Sequence, residues 1–203
     1  MEINENILKD KPNDKMDKIK LIRKVMFWLS LSLGLVCLIL FICYNLVDVM
    51  SIFVKDTDKF DPARLFPGWQ VVFYGYGVQM ILGYHEFDPN PILIIGMMVP
   101  IISIIVNFCL IKKGKNRMKA TLAFIEGIAI IVGAIILINV NYLVSMSISK
   151  DISSYYVEAL KNNGVNVTFY PIILLIVGLI GGLSKLGYGI ILLYQRKYAM
   201  TLK

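Results

Sequence analysis

The sequence predicts an all-α membrane protein: a bundle of four spanning helices whose first extracellular loop is itself structured. Three observations carry that prediction. Four apolar runs, about 25–47, 91–111, 121–144 and 169–194, can each cross a hydrocarbon core of about 30 Å at about 1.5 Å per helical residue. The chain of 203 residues is 57% hydrophobic, with a mean hydropathy of +0.69. Soluble domains of this size do not carry that composition. Finally, the net charge of +7 is not spread evenly. It gathers beside alternate ends of the apolar runs, where basic loops fix topology.

Residues 1–24 form a basic segment, with Lys15, Lys18, Lys20, Arg23 and Lys24 just before the first run and Pro12 and Asn13 interrupting it. The apolar run behind it is too long for a cleaved signal peptide, so it reads as a retained anchor. Lys15 to Arg23 can be read as a short surface helix on an anionic leaflet or as a solvated tail; the tail is the plainer reading. Within Val25–Val47, the residues Ser30, Gly34, Cys37, Phe41 and Tyr44 share one helical face. A small or polar stripe opposite a greasy one is the pattern of a helix in a bundle.

The first outer loop, 48–90, opens with an acidic stretch, Lys55–Phe66, expected to be exposed. Then follows Pro67–Tyr84, too short and too interrupted by glycine to span. Trp69, Phe73, Tyr74 and Tyr76 make it an aromatic cap over the bundle. It reads either as a hairpin of Gln70–Tyr74 and Val78–Leu82 or as a segment lying at headgroup level. His85 with Glu86 and Asp88 is a poor metal set, and no metal site is expected.

In Pro91–Ile111, the residues Gly96, Pro100, Ser103 and Asn107 share a face, and Pro100 should bend the helix. A basic turn follows: Lys112, Lys113, Lys115, Arg117 and Lys119. In Thr121–Val144, Glu126 falls on the face of Ala129, Gly133 and Leu137. The second outer loop, 145–168, ends in the sequon Asn166–Val167–Thr168.

The chain is organised around Phe169–Tyr194. That run carries one charge, Lys185, about 13 Å from its inner end. Gly178, Gly181, Gly182 and Gly189 all lie within about 60° of Lys185 around the helix. Glycines let another backbone approach, so the charge faces protein. The tail, 195–203, is basic again. Both termini are therefore expected in the cytoplasm, in a multi-pass protein of the plasma membrane.

Glu126 and Lys185 fall at similar depth, with Asn107 and Ser30 in the same half. Isolated charges there cost roughly 2.5–3.5 kcal/mol each on insertion scales, and pairing reduces the cost. The cluster reads either as a substrate or ion site or as a structural pair fixing helix register. The structural reading is the stronger, because transport pathways carry more ionisable groups or broken helices in matched repeats.

Cys37, Cys43 and Cys109 lie inside apolar runs without ligand spacing. No motif for a nucleotide, a metal or an acyl nucleophile is present, so no cofactor and no enzymatic activity are expected. The charge pattern gives no reason to expect a nucleic-acid partner.

Four spans, a long first outer loop and the segment PGWQVV (Pro67–Val72) resemble the claudin-type tetraspan plan. The departure is that family's GLW and paired-cysteine motif, absent from 48–90. Gly68–Val72 is similar to a segment after the first span in small four-span proteins of low-GC Gram-positive bacteria and mollicutes. That resemblance implies a topology and no activity. The expected role is a non-enzymatic assembly partner or accessory subunit in the lipid bilayer, with a protein partner or as a homo-oligomer. The alternative is a small transporter or channel component using Glu126 and Lys185.

Overall fold

A computed structural model describes residues 11–52, 64–73, 90–110, 115–146 and 165–201. Four long helices dominate: α1 (Lys11–Cys43), α3 (Pro91–Leu110), α4 (Asn116–Ile138) and α6 (Phe169–Thr201). Short elements join them: strands β1 (Asp48–Ile52) and β2 (Arg64–Pro67), helix α2 (Gly68–Val72), helix α5 (Val140–Met146) and strand β3 (Val165–Val167). Each long helix contains a segment apolar and long enough to cross a membrane. Only 22–44% of the apolar window in each is buried inside the protein. The rest is an outer belt of residues such as Ile39, Ile95, Ile102, Ile128, Val132, Ile176 and Ile180. Exposed apolar side chains of that kind fit helices that could lie in a membrane.

Neighbouring long helices run antiparallel. Gly96 meets Ile136, and Asn107 meets Glu126, so α3 and α4 descend against each other. Gly178 meets Ala134, and Gly189 meets Phe124, which aligns α4 with α6. Tyr170 bonds Leu40, and Arg23 bonds Gln195, which aligns α6 with α1. The helices thus close in the order α1, α6, α4, α3, and the α3–α1 seam is the lightest. Lys11, Leu110, Asn116 and Thr201, the helix ends away from the strands, lie at one end of the bundle.

The opposite end is closed by a three-stranded antiparallel sheet in the order β2–β1–β3. β1 pairs with β2 from its own loop, Met50 opposite Phe66. It pairs on its other edge with β3 from the last connection, Met50 opposite Val167. Val49, Met50, Phe66, Val71 and Val72 from this cap are buried in one core with Phe41, Tyr44, Leu93, Leu137, Val140 and Leu174. Strand alternation explains Met50 and Phe66 inside with Leu65 out.

Helix ends in an apolar setting leave carbonyls without partners. At the capped end side chains add hydrogen bonds to carbonyls near the helix ends, among them that of Leu40, which also accepts from the Tyr44 amide. The Tyr170 hydroxyl donates to the Leu40 carbonyl at 2.9 Å, and the Tyr44 hydroxyl to the Leu137 carbonyl at 3.1 Å. The Asn90 amide donates to the Leu143 carbonyl at 2.7 Å. The Asn90 side-chain oxygen meanwhile accepts from the Ile92 and Leu93 amides, an N-cap for α3.

Several expectations need correction. The α1 helix begins at Lys11 and runs through Pro12 and Asn13 into the apolar run, so residues 11–24 are neither a separate surface helix nor a broken tail. Proline in a first turn has no amide that the helix needs. The first span ends at Cys43 and not Val47, because the chain turns into β1. The third apolar helix starts at Asn116 and breaks at Asn139, whose side-chain amide turns back onto the Ile135 carbonyl at 2.7 Å. The fourth runs on to Thr201. Gln70–Phe73 is not a hairpin arm: Gly68–Val72 is helical and Phe73 is a turn residue. Arg64–Phe66, expected to be exposed loop, belongs to β2, with Phe66 buried. The second hairpin arm, Tyr74, Tyr76 and His85–Asp88 lie outside the described residues.

Candidate functional site

Polar side chains from three helices meet in the interior, beside a glycine of the fourth. Their positions follow from where the helices can approach. Gly127 of α4 and Gly182 of α6 are the crossing point. A Cβ added at either would lie 2.8 Å from the other's carbonyl oxygen. Glu126 is the next residue to Gly127, and Lys185 is one turn beyond Gly182. The close crossing therefore brings their side chains into reach. Glu126 Oε1 lies 2.8 Å from Lys185 Nζ, and both side chains are almost wholly buried.

The third member comes from α3. The Asn107 side-chain amide donates to the second carboxylate oxygen, Glu126 Oε2. The α3 helix is held against α4 by Gly133, where a Cβ would fall 2.3 Å from Pro100 Cγ and 2.5 Å from the Gly96 carbonyl oxygen. That carbonyl is the one Pro100 cannot hydrogen-bond, and it points at the backbone of Gly133. Pro100 and the glycine thus meet at one close contact, which sets the distance at which Asn107 meets Glu126.

The first helix contributes space. A Cβ at Gly34 would lie 3.0–3.1 Å from Lys185 Cε, Lys185 Nζ and Glu126 Oε1. Gly34 therefore covers the ion pair, an assignment that sequence reasoning missed. Its position, one turn after Ser30 on the same face, was the available signal. Ser30 itself is buried at 2% exposure. Its hydroxyl donates to the Phe27 carbonyl of its own helix at 3.1 Å, so hydrogen bonding links it to its own helix and not to the cluster.

The glycines of α6 divide their contacts. Gly178 and Gly182 face α4, Gly181 faces Cys37 of α1, and Gly189 lies under the Phe124 ring. In the aromatic cap, Trp69 is exposed and Phe73 half-buried. Among the described residues, no three His, Cys, Asp or Glu side chains come together.

A crevice reaches the pair from the α1–α3 seam. It is lined by Leu31, Gly34 and Leu35 on one side, Ile104, Asn107 and Phe108 on the other, with Glu126 and Lys185 at its floor. Its room is about that of one water molecule.

Chemically, the arrangement holds a carboxylate and an ammonium in mutual compensation, with one carboxylate oxygen tied to an amide. Compared with models of known protein families, with characterised proteins and with solved structures, the chain matches none.

Proposed function

We propose that this is a four-span integral protein of the plasma membrane, with both termini cytoplasmic, acting without catalysis as an assembly partner or accessory subunit. The orientation rests on charge. Lys18, Lys20, Arg23, Lys24, Lys115, Arg117, Lys119 and Lys197 lie toward one end of the bundle, while Arg64 lies in the sheet at the other. Basic residues near helix ends favour the cytoplasmic side.

One observation carries the assembly role: both connections at the capped end contribute strands to a single sheet seated on the helix core. A fixed sheet presents side chains in defined positions, as a contact surface requires and a solvated loop does not. Leu65 stands exposed on it at 55%, and Trp69 of the adjoining helix α2 at 44%. The ion pair then serves the structure, fixing the register of α4 against α6.

Co-purification in mild detergent tests this. A protein, or a second tagged copy of this chain, should be retained by the native protein and lost from Leu65→Glu and Trp69→Glu variants that remain folded. Equal retention by native and variant proteins would overturn the reading.

The second reading, a small transporter or channel component, is favoured by the crevice that reaches Glu126 and Lys185. It requires ion or solute flux in liposomes that Glu126→Gln abolishes while the fold survives. Such flux would replace the assembly reading.

A further inference from the structure

We infer that the crevice between α1 and α3 is a binding site for one hydroxyl group, held between Lys185 and Glu126 and supplied by water or by a lipid alcohol. The inference goes beyond the assembly role and does not depend on it.

Unused hydrogen-bonding capacity is the first ground. An ammonium has three N–H donors, and a carboxylate has about four acceptor positions. Among the described residues, Lys185 Nζ meets one acceptor, Glu126. Glu126 Oε1 faces that ammonium at 2.8 Å and meets no other donor among the described residues, so an acceptor position on this buried oxygen stays open. Glu126 is 1% exposed and Lys185 3%, and both line the crevice. Buried polar atoms left this way are costly and are ordinarily satisfied.

Space is the second ground. The crevice holds about one water, and Lys185, Glu126 and Asn107 supply the two to four polar partners that a buried water needs. Gly34 keeps that room open, since any side chain there would press on Lys185 Nζ and Glu126 Oε1.

The polarity of the floor selects the ligand. An anion would meet Glu126, and a cation would meet Lys185. A carbonyl could accept from the ammonium but offer nothing to the carboxylate. A hydroxyl accepts from Lys185 Nζ and donates to Glu126 Oε1 at once. The mouth is apolar, with Leu35 40% and Phe108 50% exposed. A lipid whose neutral head carries a free hydroxyl, such as a diacylglycerol, can therefore present that group at the mouth, as water can.

Two measurements test the site. In detergent micelles, the melting temperatures of Gly34→Ala and Gly34→Ser are compared. Helix propensity and side-chain size both rank alanine first. A hydroxyl site reverses that order by a few degrees, because serine carries the missing group into the crevice. Serine at or below alanine overturns the proposal.

The unmodified protein gives the second readout. In liposomes it is subjected to radiolytic hydroxyl labelling, which marks side chains beside bound water. Separately, it is photolabelled with a diacylglycerol carrying a diazirine near its glycerol. Oxygen addition at 31–35 or 104–108 without lipid adducts assigns the hydroxyl to water. Lipid adducts at those segments, competed by unlabelled diacylglycerol, assign it to lipid. A crevice silent to both probes overturns the inference even if neither Gly34 variant folds.

Discussion

Reversing the Glu126–Lys185 pair gives the sharpest test of how the bundle holds together. Lys185→Glu places two carboxylates at a site where the native ion-pair atoms lie 2.8 Å apart, and Glu126→Lys places two ammoniums there. Neither side chain can retreat into solvent, because both native residues are almost wholly buried. Breaking a buried pair by changing one partner costs about 3–5 kcal/mol. For a chain of this size, a loss of about 1 kcal/mol lowers the melting temperature by roughly 2–4 °C. Each single variant should therefore melt roughly 6–20 °C below the native protein. The double variant, Glu126→Lys with Lys185→Glu, restores opposite charges across the same crossing. It should recover more than half of the summed loss, with a coupling energy of about 2 kcal/mol or more. Recovery stays incomplete because Asn107, which donates to Glu126, must turn its carbonyl oxygen toward the new ammonium. The assay is thermal unfolding in micelles, followed by tryptophan fluorescence and by the monodisperse fraction on gel filtration. Additive losses, or single variants that melt with the native protein, would refute the claim that this pair fixes α4 against α6.

Four further outcomes follow, three from the packing and one from the charge pattern. Gly182→Ala should destabilise by about 1–3 kcal/mol in thermal unfolding, because its Cβ would meet the Gly127 carbonyl at 2.8 Å and Ile131 at 2.4 Å. Gly187→Ala should be neutral or stabilising, since only the mobile end of Met26 lies near, at 3.1 Å. Asn90→Ala should cost about 1–3 kcal/mol in the same assay, since it removes the α3 cap and the hydrogen bond from its side-chain amide to the Leu143 carbonyl. For topology, Asn166→Cys in a background lacking native cysteines should react with an impermeant thiol reagent on intact cells, and Lys115→Cys should react only after permeabilisation; the opposite pattern inverts the proposed orientation.

The helix faces were legible because 3.6-residue periodicity converts spacing into direction. Ser30, Gly34, Cys37, Phe41 and Tyr44 are all buried, and so are Glu126, Ala129, Gly133 and Leu137. The coincidence of Lys185 with four glycines pointed to a packed face for the same reason. Partners were less legible than faces. Gly182 announces that something comes close, but nothing in its own helix says that the something is Gly127. Ser30 looked like part of the polar layer, yet a serine in a helix can bond its own backbone, and only geometry reveals that it does. The sheet was invisible for another reason. β1, β2 and β3 are three to five residues long, too short for alternation to register, and β3 comes from the other end of the chain. A local reading of 67–84 looked for a hairpin inside one loop, whereas the pairing joins two.

That β1 lies between β2 and β3 also sets an order of events during synthesis. Chains emerge N-terminus first. When α1, α3 and α4 have emerged, β1 has only its β2 neighbour, and its other edge presents unpaired amides and carbonyls. Glu126 has Asn107 but not its ammonium. The final stretch of chain delivers β3 and Lys185 together, one at the start of α6 and the other midway along it. A nascent protein stalled before that point carries an open strand edge outside the helices and an uncompensated carboxylate within them. Both are features by which a cell's surveillance machinery could tell an unfinished copy from a finished one.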